Sequence, residues 1–203
     1  MKNLFNILMA VLLVSAVSCS SNSSQNSDSS DTSVSQNSSS TQAAADSNKK
    51  ELEAKDSTEL KADYDYAVTA ANGGLLEVQL GKLAATKASS PKVIAFAKMM
   101  VTDHSKANAE LMKIAGAKVI TLPAILSNQY QKDYDDMSKL DKKDFDKAYT
   151  DYMVKDHKED IEAFKKEVQD GKDTELKAFA AKHVPILEHH LQMAQQANDA
   201  VKK

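Results

Sequence analysis

Residues 65–88 read DYAVTAANGGLLEVQLGKLAATKA, and this stretch decides the fold. Its apolar residues recur every three to four positions, and it holds no proline and no strand-like alternation. The spacing predicts one helix from about Asp65 to Ala88. On one face Glu77 has Ala70, Gly73, Gly74, Leu80, Gly81 and Ala84 as neighbours. Three glycines in a helix cost about 1 kcal/mol each relative to alanine. Close approach of a second helix is the expected offset. A carboxylate inside such a stripe requires a partner.

The helical pattern continues to the end of the chain. Ser89-Ser90-Pro91 marks a boundary, with Ser90 able to cap and Pro91 suited to the first helical position. A second helix is expected to run from there to about Ala115, stopped by Gly116. A connector from Ala117 to Leu140 follows, in which Pro123 is expected to begin a shorter helix. Asp141 then caps a third long helix, which Gly171 ends. Asp173 caps a fourth, and Pro185 inside it is expected to kink it. Helices of about 24 to 29 residues are matched in length at roughly 35 to 45 Å. Short links pair the first with the second and the third with the fourth, and one long crossover joins the pairs. The expected fold is all-α, a ferritin-like four-helix bundle whose crossover between the second and third helices carries a short extra helix.

Polar residues on the inward faces carry the candidate chemistry. Glu77 comes from the first helix, His104 from the second, His157 from the third and His190 from the fourth. A bundle core can bring such groups together on one ion, and three imidazoles with a carboxylate suit iron, copper or zinc. Asp103, Asn108, Asp156 and Asp160 stand beside them as supporting polar residues. The alternative is a hydrogen-bonded polar cluster with a structural role. His183 shares the stripe of His190, whereas His189 faces solvent. Residues three before His104, His157 and His190 are Val101, Val154 and Leu187. The Glu-x-x-His pairs of di-iron bundles are therefore missing. There is no phosphate loop, zinc-protease motif or nucleophile elbow. The acids at Asp133, Asp135 and Asp136 lack the spacing of a calcium loop and read as a solvated face.

The first sixty residues carry a different message. Lys2 precedes an apolar run from Leu4 to Val17, too short to span a bilayer and of the length of a signal-peptide core. Ala16-Val17-Ser18-Cys19 resembles a lipobox, which implies cleavage before Cys19 and its acylation. Ordinary cleavage near Ser18 is the alternative. Cys19 is the sole cysteine, so the folded part has no thiol for a disulfide or a thiolate metal site. From Ser20 to Gln42, twelve of 23 residues are serine, a composition that cannot offset its ordering entropy. The expected organisation is a signal peptide over 1–18, an acylated cysteine with a disordered tether over 19–60, and the bundle over 61–203. All 26 basic residues are lysine and the net charge is −3, which argues against nucleic acid as a partner.

Four ordered segments resemble an uncharacterised bacterial "predicted outer membrane protein" family, a domain of unknown function with a ferritin-like fold. They are Ala70-Ala71-Asn72-Gly73-Gly74-Leu75-Leu76-Glu77-Val78, Met100-Val101-Thr102-Asp103-His104 with Asn108, Asp151-Tyr152-Met153-Val154-Lys155-Asp156-His157, and Pro185-Ile186-Leu187-Glu188-His189-His190-Leu191. The resemblance implies that Glu77, Asp103, His104, Asp156, His157 and His190 are characteristic polar positions. It implies an envelope location, and Ser20 after Cys19 favours the outer membrane. It brings no reaction. The leading expectation is a membrane-anchored, non-enzymatic envelope protein with a stress-related role. The rivals are a protein binding one iron, copper or zinc ion in the bundle core, and a carrier of a small apolar ligand.

Overall fold

The computed structural model describes residues 32–202, with side chains from Ser40 onward. The expected signal peptide, Cys19 and the first part of the serine-rich segment lie outside the described residues. Among the described residues every regular element is helical: α1 Thr32–Ala54, a 3₁₀ turn Thr58–Leu60, α2 Lys61–Lys87, α3 Pro91–Lys118, α4 Asn128–Lys139, α5 Lys142–Asp170 and α6 Thr174–Val201.

Residue pairings across the helices give their directions. Glu77 meets His104 while Gly81 abuts Ala97 and Val101, so α2 and α3 are antiparallel. Thr150 meets Asn198 while Lys165 meets Glu188, so α5 and α6 are antiparallel. Tyr66 meets Phe164 and Ser89 meets Asp146, which sets α2 against α5. The order is therefore up, down, down, up, with the long crossover between α3 and α5. This is the ferritin-like arrangement of an all-helical bundle.

Gly81 shows why that face of α2 is small. A Cβ there would lie 2.9 Å from Val101 Cγ2 and 3.1 Å from the Ala97 carbonyl oxygen. The glycine lets α3 approach closely.

Two aspartates fasten the hairpins to one another. Asp146, in the first turns of α5, accepts the backbone N–H groups of Ser89 and Ser90 in the α2–α3 turn, at 2.7 to 3.1 Å. Asp63, in the first turn of α2, accepts those of Lys172 and Asp173 in the α5–α6 turn, at 2.8 and 3.2 Å. Each hairpin thus holds the other's turn. Helix α3 does start at Pro91, but the Ser90 side chain makes no cap. The Ser90 backbone is engaged by Asp146 instead.

Several boundaries differ from expectation. Gly116 does not end α3; the helix continues to Lys118, and Val119 takes the left-handed φ of 63°. The Ile120 N–H returns to the Ala115 carbonyl, and both side chains are buried together. That hydrophobic cap makes a glycine unnecessary. Pro123 does not begin the extra helix. α4 starts at Asn128 behind Ser127, because Asn72 of α2 accepts the Ser127 N–H and donates to its hydroxyl, pinning that residue as the cap. Helix α6 spans Thr174–Val201 with Pro185 inside it. Asp141 and Asp173 cap α5 and α6 as expected, each accepting two N–H groups of the first turn.

The largest difference concerns the tether. Its described part is not a coil but α1. Ala44, Asn48 and Leu52, spaced by four, are buried. The Asn48 amide donates to the Thr121 carbonyl and accepts the Thr121 N–H, and Leu52 joins the core with Tyr64 and Ile120. These contacts anchor the part of α1 that follows the serine-rich stretch.

The core is divided along its length. One apolar cluster gathers Leu80, Phe96, Met100, Phe145, Tyr149 and Met153. The other gathers Tyr64, Leu111, Ile161, Phe164, Phe179 and Leu187. On α3, α5 and α6 the stretch between them carries His104, His157 and His190, and on α2 Glu77 directly follows Leu76 of the first cluster.

Candidate metal centre

Glu77, His104, His157 and His190 do converge at one level, each from a different helix. All four are at least 94 % buried. The imidazole centroids form a triangle with sides of 5.1, 5.6 and 5.6 Å. His104 Nδ1 lies 2.7 Å from Glu77 Oε2, and His104 Nε2 lies 3.2 Å from His190 Nδ1. His190 Nε2 reaches Asp103 Oδ2 at 3.3 Å, at the rim of the cluster. His157 Nε2 faces Glu77 Oε1 at 3.5 Å.

The proton arrangement follows from these contacts. The Nδ1–H of His157 donates to the Met153 carbonyl, 3.0 Å away. Burial, together with the charge of the other two imidazoles and against the pull of Glu77, brings its pKa down to about 4. His157 is therefore neutral and its Nε2 carries a lone pair. His104 is the opposite case. Burial disfavours its charge, but the charge and hydrogen bond of Glu77 outweigh it and raise the pKa. An imidazolium at His104 donates both to Glu77 and to His190 Nδ1, which leaves His190 Nε2–H for Asp103. Burial likewise pushes Glu77 up, yet the three histidines outweigh it and hold the carboxyl below its ordinary range. Glu77 is an anion in the centre of the bundle.

One contact is left unresolved by this network. Glu77 Oε1 and His157 Nε2 are both acceptors, and neither has a hydrogen-bond partner. Two bare acceptors 3.5 Å apart in a dry core repel unless a cation or a proton lies between them. Two donor atoms held tetrahedrally at about 2.1 Å from one ion would stand about 3.4 Å apart. The observed 3.5 Å spacing matches that separation.

Two overlapping sets of donors surround this point: His104, His157 and His190, and Glu77, Asp156 and His157, each set with its ligand atoms within 4.8 Å of one another. Asp156 Oδ2 also has no partner. Burial first, and the charge of Glu77 second, drive Asp156 and Asp160 well above the usual carboxylate range.

A cavity of about 490 Å³ reaches the cluster from the side, touching Glu77, His104 and His190. Ala107, Leu111, Phe164 and Phe179 make its apolar walls. Asn108 lines it as well and lies over Gly74, where a Cβ would be 2.0 Å from Asn108 Oδ1. Asn108 therefore serves the helix approach rather than the cluster. His183 stays outside the cluster, its Nδ1 bonded to the Phe179 carbonyl, and His189 is exposed. Among the acids of α4, Asp133 is half-buried and accepts the Tyr152 hydroxyl, so that face is not wholly solvated.

Sequence reasoning passed over Asp63, Asp146 and Glu167. Acids in a helix's first turns read as ordinary complements to its dipole, and nothing local shows which turn they clamp. Burial first, then the hydrogen-bonding influence and charge of Asp63, push the Glu167 pKa up to about 8. The folded chain thus holds a proton that the unfolded chain sheds near pH 4.5. Stability from this residue is present at low pH and is lost as pH rises from about 4.5 to about 8. Glu167→Gln keeps the donor to Asp63 without the titration. It is expected to gain about 1–2 kcal/mol over the parent at pH 8.5 and to match it at pH 5, read from urea unfolding at both pH values.

No curated protein and no solved structure matches this chain. A family model does, over residues 47–197, a span that begins inside α1 at the turn carrying Asn48 and extends to the last turn of α6. With three quarters of its length matched, the chain belongs to the family described as "Domain of unknown function (DUF4142)".

Proposed function

We propose that this chain is a lipid-anchored protein of the bacterial envelope whose bundle core binds one transition-metal ion, iron, copper or zinc, through Glu77, His157, His104 and His190, with His104 releasing a proton to solvent to free a ring nitrogen for the ion. The observation that carries the metal reading is the facing pair of bare acceptors, Glu77 Oε1 and His157 Nε2, at 3.5 Å with no donor between them. Asp103 orients His190 from behind, as second partners of metal-bound imidazoles do. The role is non-enzymatic: sequestering or buffering the ion at the cell envelope, in keeping with a stress-related role.

Metal titration of the chelator-treated protein tests it. Binding of about one ion at sub-micromolar Kd, with a rise in the melting temperature that grows with free metal, is expected. His104→Ala should lose that affinity while keeping its helical circular dichroism. A melting temperature indifferent to all three metals would sink the reading. The anchor is tested separately. Cys19→Ser should abolish fatty-acid labelling and move the protein from the membrane to the soluble envelope fraction; a protein that stays with the membrane and keeps its label refutes acylation at Cys19.

The 490 Å³ cavity favours a second reading, a carrier of a small apolar ligand. Mass spectrometry of the native protein would reveal a ligand retained through purification.

A further inference from the structure

Six buried side-chain atoms among the described residues have no hydrogen-bond partner, and three of them belong to one cluster: Glu77 Oε1, His157 Nε2 and Asp156 Oδ2. Such atoms are rare in a folded protein and point to a role beyond packing. Glu77 and His157 are 2 % and 0 % exposed. The ligand atoms of Glu77, Asp156 and His157 lie within 4.8 Å of one another, as do those of His104, His157 and His190. The two sets differ in what is free. Among the imidazoles, His104 Nε2 and His190 Nδ1 face each other at 3.2 Å, and only His157 Nε2 is bare. In the other set every member carries a bare atom. The cavity of about 490 Å³ touches Glu77 and gives an ion a way in.

The choice of ion follows from these donors. Two carboxylate oxygens with an imidazole nitrogen are a harder set than three imidazoles. Copper(I) is a soft ion satisfied by nitrogen, and zinc closes its shell at four donors. Iron(II) takes mixed oxygen and nitrogen donors and accepts more than four of them. We propose that Asp156 is a further ligand of the ion, through Oδ2, and that this hard oxygen makes the centre an iron(II) site. The assignment rests on the metal reading above. Ligation needs the carboxylate, so a proton held on Asp156 in the metal-free chain leaves to solvent as the ion binds. A residue that served Glu77 only through a hydrogen bond would do so equally as asparagine, which keeps the shape and an N–H donor. Asp156→Asn therefore separates ligation from hydrogen bonding.

Anaerobic equilibrium dialysis of the chelator-treated full-length chain in detergent, against iron(II) or copper(I), tests this. The parent is expected to bind about one iron(II) per chain. Asp156→Asn should weaken iron(II) by at least about tenfold, leave copper(I) within about twofold, and keep the melting temperature of the metal-free protein. Anomalous diffraction from iron-loaded crystals of the parent is an independent measurement, with the ion expected about 2.0–2.2 Å from Asp156 Oδ2. Should Asp156→Asn not fold, the crystal measurement carries the test. Unchanged iron(II) affinity in the folded variant, an equal loss of both metals, or an ion bound without Asp156 overturns the proposal and leaves the metal reading standing. A parent that takes up neither of these metals nor zinc overturns both.

Discussion

Glu77→Ala is expected to abolish metal binding and to lower the stability of the metal-free protein by about 2–4 kcal/mol. Glu77 faces His104 at 2.7 Å, and its charge and hydrogen bond raise the His104 pKa against the effect of burial. Without that anion a buried imidazolium stands uncompensated. His104 can shed its proton, which limits the loss, but its Nδ1 then faces a void. Glu77→Gln separates the two roles. A glutamine amide keeps the shape, keeps one acceptor for His104, and turns an N–H toward the lone pair of His157 Nε2. It resolves the clash of acceptors that the native residue leaves open. Glu77→Gln is therefore expected to stay within about 1 kcal/mol of the parent in stability and to lose metal affinity by at least about 100-fold. Thermal melts and metal titration of both variants give the answer. Retained metal affinity in Glu77→Gln would remove Glu77 from the site, and a loss of stability equal to that of Glu77→Ala would refute the acceptor clash.

Asp146→Ala is expected to cost about 2–4 kcal/mol in urea unfolding. It leaves the N–H groups of Ser89 and Ser90 without their charged acceptor. The residue is buried, so water does not simply replace it. Hydrogen exchange at Ser89 and Ser90 should accelerate, and the α2–α3 turn should detach from the start of α5. Asp146→Asn keeps one acceptor oxygen and should recover about half of the loss. A change below about 0.5 kcal/mol in Asp146→Ala would show that the turn is held by packing alone. The reciprocal residue Asp63 is expected to behave alike.

How far the sequence could be read depended on whether the cause was local. Asp141 and Asp173 were legible because a cap acts within its own first turn, two or three residues away. The end of α3 was not, because Val119 adopts its left-handed turn for the burial of Ile120 in a distant cluster. Helix α1 was misread for the same reason. Serine-rich composition speaks for a coil, and only the connector at Thr121, more than seventy residues away, supplies the partners of Ser47 and Asn48. Asn108 stood among the supporting residues on spacing and on the family resemblance, while its contact is with Gly74 across the helix pair.

The candidate site divides along the same line. Sequence by itself determined that this chain forms four long helices in two hairpins, and that Glu77, His104, His157 and His190 lie on their inward faces. Both follow from a repeat of 3.6 residues per turn, which operates within each helix. Only the tertiary structure decided that the four groups share one level, that His157 Nε2 is left bare against Glu77, and that Asp63 and Asp146 clamp the opposite turns. Those depend on how far one helix is slid along another. A slip of one turn, about 5.4 Å, would keep every apolar face inward and would separate the carboxylate from all three imidazoles. The register is fixed by close contacts between helices, at Gly81 and at the two aspartate clamps, and such contacts have no periodicity within a single helix for a sequence to display.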